Sequence, residues 1–346
     1  MAKLGVIVPT YNVERFIDET INSFLVQTNK DFKIYVIDDG STDRSGEICK
    51  KYASENPELI EYHYQDNKGL GGARNTGIKL AKEEYVWMFD SDDFTTFKSV
   101  ENIIKVLDDE KPDILLLRPT VYNHLTKDYY EWFDTKVCDD IFFKGSPQNI
   151  ESDDRLLSIE TNFSRCIISK KLIDKINFEF KEKIKWEDIF PHIQLFAYAD
   201  KISYLKSVGT YFYRINSGGG QITSSKDNSR MEMINQFDDA IKLAKSLNWN
   251  KSQYVSFIAL MNRFIMWSYW MLDEIYRNEY ILAAHKLYKK LPKAYFRSYY
   301  KLDGVMYAMK RSYIFAFILR GPFYKILCKT KLISFVLKVI RKIRRR

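Results

Sequence analysis

This 346-residue chain has only four cysteines, Cys49, Cys138, Cys166 and Cys328, scattered without metal-ligand spacing. That excludes a disulfide framework and a thiolate metal site, and it fits a reducing compartment. No signal peptide is expected, because Met1 to Lys3 lead straight into a short apolar strand. No membrane span is expected near the C-terminus. Its longest uncharged apolar stretch, 312–319 between Arg311 and Arg320, has eight residues, against the roughly 20 needed to cross a bilayer. A P-loop is missing, and Gly69-Leu70-Gly71-Gly72-Ala73-Arg74 fails as a dinucleotide fingerprint because Arg74 stands where the third glycine belongs. It reads instead as a tight turn into a helix, leaving Arg74 or Lys68 to reach a phosphate. Internal repeats and long low-complexity tracts are absent.

Acids are nearly missing from residues 281–346. That stretch holds 18 Lys+Arg against Asp303 alone, a net +17, which leaves −8 on the first 280 residues. A mildly acidic body with a basic tail points to a polyanionic partner for the tail, a membrane or a nucleic acid. On a helical projection Leu332, Ile333, Val336, Leu337, Val339, Ile340 and Ile343 share one arc, with Lys331, Lys338, Arg341, Lys342 and Arg345 opposite and Phe335 and Arg344 as exceptions. Such a cationic amphipathic helix suits an anionic lipid interface, where each base contributes about 1 kcal/mol. The alternative is that it packs on the body or on a neighbouring subunit. Nucleic acid is disfavoured because the body is acidic.

Apolar residues make up 46% and aromatics 15% of the chain, enough for a large core plus a subdomain. Strands are expected at Gly5–Val8, Phe32–Ile37, Leu59–Tyr64, Tyr85–Phe89 and Ile114–Leu117. Helices are expected from Phe16 to Leu25, from near Ser45, from Ala73 to Lys82, through Val100–Leu107, and around 169–177 and 187–199. The chain reads as helical from about Asn228 onward. The alternation argues for an α/β, Rossmann-like, mostly parallel sheet flanked by helices, with a C-terminal helical region.

Three strand ends are polar within the first 93 residues: Pro9-Thr10-Tyr11-Asn12, Asp38-Asp39-Gly40-Ser41-Thr42-Asp43 and Asp90-Ser91-Asp92-Asp93. Ligands bind outside the carboxyl ends of such strands, so the three predict one converged, carboxylate-rich site. Asp90 and Asp92 are candidates for a hard cation and its diphosphate, with Asp93 behind them. Taken alone they read as well as a solvated turn capping the next helix. Ser41 and Asp43 read as a helix start, whereas Asp39 is aimed at the ligand side and suits a nucleobase N–H. In Trp186-Glu187-Asp188 an acid beside apolar neighbours would have its pKa raised towards that of a general base. Adjacent acids on a helix point apart, so only one should face the chemistry. Arg214, before the glycine loop 218–220, is a charge partner for the diphosphate.

Together these segments, with Val6-Ile7-Val8 and Ala73-Arg74-Asn75-Thr76-Gly77, resemble family 2 glycosyltransferases of the GT-A fold. The likeness is to the inverting enzymes of bacterial capsule, teichoic acid and lipopolysaccharide assembly, over residues 1 to about 220. It implies a domain at 1–225, with a nucleotide-sugar half (1–118) and an acceptor half (119–225), followed by the helical region 226–346. It implies that Pro9, Thr10, Tyr11, Asn12 and Asp39 hold the nucleobase and ribose, with Arg74, Asp90, Ser91 and Arg214 around the sugar nucleotide. Asp92 with Asp90 would ligate Mn²⁺ or Mg²⁺, and Asp188, with Glu187 beside it, would be the base. Many relatives have Ser-Ala-Ala-Arg-Asn where this chain has Gly71-Gly72-Ala73-Arg74-Asn75.

The implied function is transfer from a nucleotide-sugar, UDP-sugar favoured, to a hydroxyl of a glycan or lipid-linked acceptor. The implied place is cytoplasmic, on the inner face of the cell membrane. A sugar nucleotidyltransferase uses similar carboxylates but attacks phosphorus. A catalytically idle scaffold is a third reading.

Overall fold

The computed structural model describes residues 2–146, 148–218 and 222–301. The amphipathic tail helix, Cys328 and the 219–220 part of the glycine loop lie outside the described residues. The chain divides into two compact units, Met1–Ile222 and a second from Thr223 onward.

The first unit is built on a seven-stranded sheet. Its strands are β1 (Leu4–Thr10), β2 (Phe32–Asp38), β3 (Ile60–Tyr64), β4 (Tyr85–Met88), β5 (Ile114–Leu117), β8 (Cys166–Ser169) and β9 (Ile202–Leu205). They lie in the order β3-β2-β1-β4-β8-β5-β9. All pairings are parallel except the two made by β8, which runs against both β4 and β5. Strand β1 is buried along its whole length, as an apolar strand covered on both faces must be. The helices Ile17–Leu25 and Ser99–Glu110 bury Ile17, Ile21 and Phe24, and Val100, Ile103, Ile104 and Leu107, in one core with the sheet. These are the positions the 3.6-residue spacing picks out.

Two expectations shift. The helix expected from Ala73 begins at Gly69, so the glycines form its first turn rather than a turn before it. Gly77 lets this helix sit directly on β1, since a Cβ there would lie 2.2 Å from Ile7 Cγ2. The helix expected over 187–199 is Ile189–Tyr198, leaving both acids just outside its first turn. Strand β8 was not expected at all. Three apolar residues, Cys166, Ile167 and Ile168, running into the Ser169 cap of helix Lys170–Lys175 carry no strand-length signal of their own.

A second sheet, ordered β10-β6-β7, comprises β6 (Pro119–Asn123), β7 (Tyr129–Glu131) and β10 (Tyr211–Ile215). An aromatic seam joins it to the main core. Phe24, Trp87 and Phe89 meet edge-on with ring centroids 4.8–5.6 Å apart, and Phe89 meets Tyr211 at 5.8 Å. This seam stabilises the ground beneath the Asp90–Asp93 loop.

The second unit consists of helices Met231–Ser246, Lys251–Met271, Glu274–Lys289 and Lys293–Tyr299 in its described part. Asn250 and Gln253 form a reciprocal capping box at the start of the second of these. Buried Asn262 bridges two tyrosines, accepting from Tyr288 Oη at 2.7 Å and donating to Tyr299 Oη at 3.0 Å. Among the described residues no helix is long and apolar enough to cross a membrane.

Candidate active site

Parallel pairing in register sets Thr10 beside Asp38, and Phe89 beyond β4 donates its N–H to Ile7, so all three polar strand ends emerge at one edge. The residues after β1 divide between framework and surface. Pro9 and Thr10 are buried, and the Thr10 hydroxyl turns back to Val8 O at 3.2 Å. Tyr11 is half exposed, at 49%. Asn12 has φ 52°, and its Oδ1 accepts from the Thr42 N–H at 2.8 Å and the Asp43 N–H at 3.3 Å. It therefore pins the β1 end to the β2 loop.

The paired acids after β2 separate in role. Asp38 is buried under its own turn, accepting from Ser41 N at 2.9 Å and Tyr62 Oη at 2.6 Å. Asp43 accepts from the N–H of Ser45, the first residue of the next helix, at 2.9 Å. Asp39 Oδ1 takes Gln65 Nε2 at 2.6 Å and the Lys68 N–H at 2.8 Å, so it sits at the mouth of helix Gly69–Leu80. Lys68 itself is exposed.

Arg74 is the hub. Its Nη1 donates to Glu187 Oε1 at 2.8 Å and its Nη2 to Asp90 Oδ1 at 3.0 Å. The guanidinium also lies 5.4 Å from the Phe180 ring centroid and 5.7 Å from that of Phe163. An Arg so enclosed, 4% exposed, does not reach out to a phosphate, which corrects the expectation made for it. It joins two acids 97 positions apart in the chain. Gly71 makes this closeness achievable, since a Cβ there would lie 2.5 Å from Lys181 O and 3.2 Å from Glu187 Cγ.

Glu187 is buried and Asp188 half-buried. Burial pushes both carboxyls above the ordinary range, with Arg74 opposing the shift. Asp188 Oδ2 accepts from the Thr161 hydroxyl at 3.1 Å. Trp186, directly before them, takes φ 64°, a conformation costly for a bulky side chain. This strained turn directs Glu187 inward to Arg74 and leaves Asp188 the more open of the two.

In the third strand end, Asp90 is partly open, its side chain 28% exposed, with its N–H on Ser164 Oγ at 3.2 Å. Ser91 is buried, and Asp92 is half-buried. Asp93 is fully buried, accepting from Tyr211 Oη at 2.6 Å and the Arg214 N–H at 2.8 Å. Burial, then the neighbouring Asp92 and Asp90, raises its carboxyl well above the usual range.

Arg214 differs from expectation. It is 1% exposed. Its Nε donates to Asp92 O at 2.6 Å and its Nη2 to Glu19 Oε2 at 2.7 Å, while Nη1 lies 3.1 Å from His124 Nδ1. Phe16, Phe94 and Tyr122 surround it at 5.0–5.2 Å. The guanidinium holds the acidic loop from behind. Thr161, Ser164 and His124, outside the regular helices and strands, and Glu19, on the polar side of helix Ile17–Leu25, escaped the sequence reading because a lone polar residue carries no periodic signal.

Among the described residues no three His, Cys, Asp or Glu side chains converge on a metal position. Asp90 and Asp92 offer two partly open carboxylates, the donor number that suits Mg²⁺-like ions completed by substrate phosphates and water.

Residues 5–162 match the family model described as glycosyl transferase family 2. The chain is 31% identical over 223 residues to the glycosyltransferase GlyA of Streptococcus pneumoniae, an alignment covering 62% of this chain and 31% of that protein. This chain thus spans about a third of that relative's length. The crystal structure of Staphylococcus aureus TarS 1–349 in complex with UDP-GlcNAc superposes with a TM-score of 0.71 at 21% identity, covering 85% of this chain and 83% of that one. The mannosyltransferase PcManGT of Pyrobaculum calidifontis, in complex with GDP-Man and Mn²⁺, gives 0.52 at 16% identity, covering 90% and 87%. The converged strand ends thus lie in the segment that matches family 2 glycosyltransferases, on a fold shared with the TarS structure.

Proposed function

We propose that this chain transfers a sugar from a nucleotide-sugar, a UDP-sugar by preference, to a hydroxyl of a cell-surface glycan or lipid-linked acceptor, with inversion at the anomeric carbon. The observation that carries the reading is the Arg74 bridge, which brings Asp90 of the nucleotide half into one site with Glu187 and Asp188. The UDP-GlcNAc of the TarS complex supports the choice of donor.

In this reading Asp39 faces the nucleobase and Tyr11 offers it a ring. Asp188 is the base, being the more open acid and oriented by Thr161. Its raised pKa suits a group that must accept a proton near neutrality. The acceptor oxygen bonds to the anomeric carbon as that carbon's bond to the β-phosphate oxygen breaks. The electron pair leaves with the diphosphate, and the acceptor proton passes to Asp188. Asp92 and Asp90 would hold Mn²⁺ or Mg²⁺, which supplies Lewis-acid stabilisation of the diphosphate when bound. Arg214 acts by fixing the backbone of Asp92. The basic tail would bring the enzyme to an anionic inner membrane face, where a lipid-linked acceptor resides.

The experiment is nucleoside diphosphate release from a panel of UDP-, GDP- and dTDP-sugars with Mn²⁺, with and without bacterial membrane extract. Release from one donor, stimulated by extract and lost in Asp92→Ala and Asp188→Ala, is expected. Release of pyrophosphate instead would make the protein a nucleotidyltransferase, and inertness towards every donor would leave the scaffold reading.

A further inference from the structure

Asp39, directly after β2, holds its two carboxylate oxygens in unlike positions. Oδ1 accepts from Gln65 Nε2 at 2.6 Å and from the Lys68 N–H at 2.8 Å. Two donors fill the lone pairs of that oxygen. Oδ2 takes no hydrogen bond from any described residue, and it is not among the polar atoms sealed in the interior without a partner. The residue as a whole is 2% exposed, so its opening to a ligand is this one oxygen.

The arrangement is held from behind. The Gln65 N–H donates to Asp38 O at 2.9 Å, one step past the last β2–β3 pair, Asp38 with Tyr64. The Gln65 side-chain oxygen accepts from Thr76 Oγ1, on helix Gly69–Leu80, at 2.6 Å. A carboxylate can only accept, so the Gln65 amide must turn its NH₂ to Asp39 and its oxygen to Thr76. Asn67 closes the turn, its Nδ2 donating to Asp39 O at 2.9 Å. The carboxylate is thus fixed both at its backbone and at Oδ1.

Nucleobases differ in what they offer a single oxygen. Uracil carries one N–H on its pairing edge, between two carbonyls. Guanine carries two side by side, the ring N–H and the 2-amino group, which suit both oxygens of one carboxylate. Cytosine places a bare ring nitrogen there, an acceptor facing an acceptor.

We propose that Gln65, held by Thr76, is a specificity-determining residue of the donor site: by occupying Oδ1 it leaves Asp39 one acceptor and so selects uracil over guanine. This rests on the glycosyltransferase reading, with Asp39 at the nucleobase, and assigns the choice of base to a residue outside the strand-end acids. Guanine in the same place keeps one of its two bonds and leaves a donor unpaired, a mismatch that a closely fitted site rejects.

The test is calorimetric titration of the full chain with UDP, GDP, CDP and UDP methylated on the ring N–H of uracil. The native protein is expected to bind UDP about tenfold or more tightly than each of the other three. Gln65→Met keeps the side-chain length but frees a lone pair of Oδ1, and it should lower the UDP-to-GDP affinity ratio about fivefold or more. A merely structural role would weaken both nucleotides in proportion. An unchanged ratio would therefore overturn the inference, as would native binding of GDP or of the methylated analogue as tight as that of UDP. The native arms need no variant and decide the matter even if Gln65→Met folds poorly. Binding of no nucleotide at all would strike the donor reading together with this one, whereas binding without preference for uracil defeats this one alone.

Discussion

Arg74 and Glu187 form a buried ion pair, Nη1 to Oε1 at 2.8 Å, that fastens the helix after β3 to the strained turn carrying the proposed base. Both side chains are almost wholly withdrawn from water. Such a pair is weak evidence of net stabilisation, but removing one partner leaves the other charge uncompensated.

Arg74→Met should therefore destabilise by about 3–5 kcal/mol. Arg74→Met with Glu187→Leu should recover much of that loss, because the buried Glu187 charge is no longer left behind and Asp90, the other partner of Arg74, is partly open to water. Urea unfolding of both variants reads this directly. A double variant as unstable as the single one would deny the pair its central place.

Asp188→Asn should lower kcat by about 10²–10⁴-fold, the usual worth of a general base, with little change in nucleotide affinity. In the native enzyme the acid limb of kcat/KM should lie above the ordinary aspartate value of about 3.9, since burial raises this carboxyl. Activity then rises with pH through the raised value. Stability runs the other way. The folded state binds the proton more tightly than the unfolded one, so the stability contributed below the unfolded pKa is lost as pH rises through the folded value. A pH–rate profile paired with melting curves distinguishes the two slopes.

Asp92→Ala should abolish Mn²⁺-dependent tightening of UDP binding in calorimetry while leaving metal-free binding detectable. EDTA should do the same to the native protein. Undiminished metal dependence in the variant would move the cation away from Asp92.

Gly71→Ala should cost about 1–3 kcal/mol, typical of an overpacked site, because the added carbon meets backbone Lys181 O at 2.5 Å. It should also reduce kcat, as the same shift displaces Glu187. A lowered melting temperature with full activity would show that the turn tolerates movement.

Asp93→Ala should strand the Tyr211 hydroxyl and the Arg214 N–H in the core, at about 1–3 kcal/mol for each unsatisfied group. Tyr211→Phe removes one hydrogen bond and should cost about 1 kcal/mol. Thermal melts of the two variants rank them.

The strands and most helices of the first unit are legible because hydrophobic periodicity is a local property. Leu4–Thr10 and Phe32–Asp38 are apolar runs ended by polar residues, and Ile17–Leu25 repeats its apolar residues at helical spacing. Strand β8 is not legible, since its place between β4 and β5 comes from pairing partners some fifty and eighty residues earlier. The small sheet is hidden for the same reason, with β10 pairing to a strand far upstream.

The sequence by itself determined which acids stand at strand ends, because a parallel sheet must expose its carboxyl edge, and with them the glycosyltransferase likeness. Only the tertiary structure decided what each polar group touches. Arg74 and Arg214 are equally eligible for a phosphate on paper, yet one is held between Asp90 and Glu187 and the other among Glu19, His124 and Asp92. Likewise Glu187 and Asp188 are adjacent carboxylates separated in role by the positive φ of Trp186 and the reach of Thr161. A side chain's type follows from its codon, but its partners and its dielectric surroundings exist only when distant segments pack together.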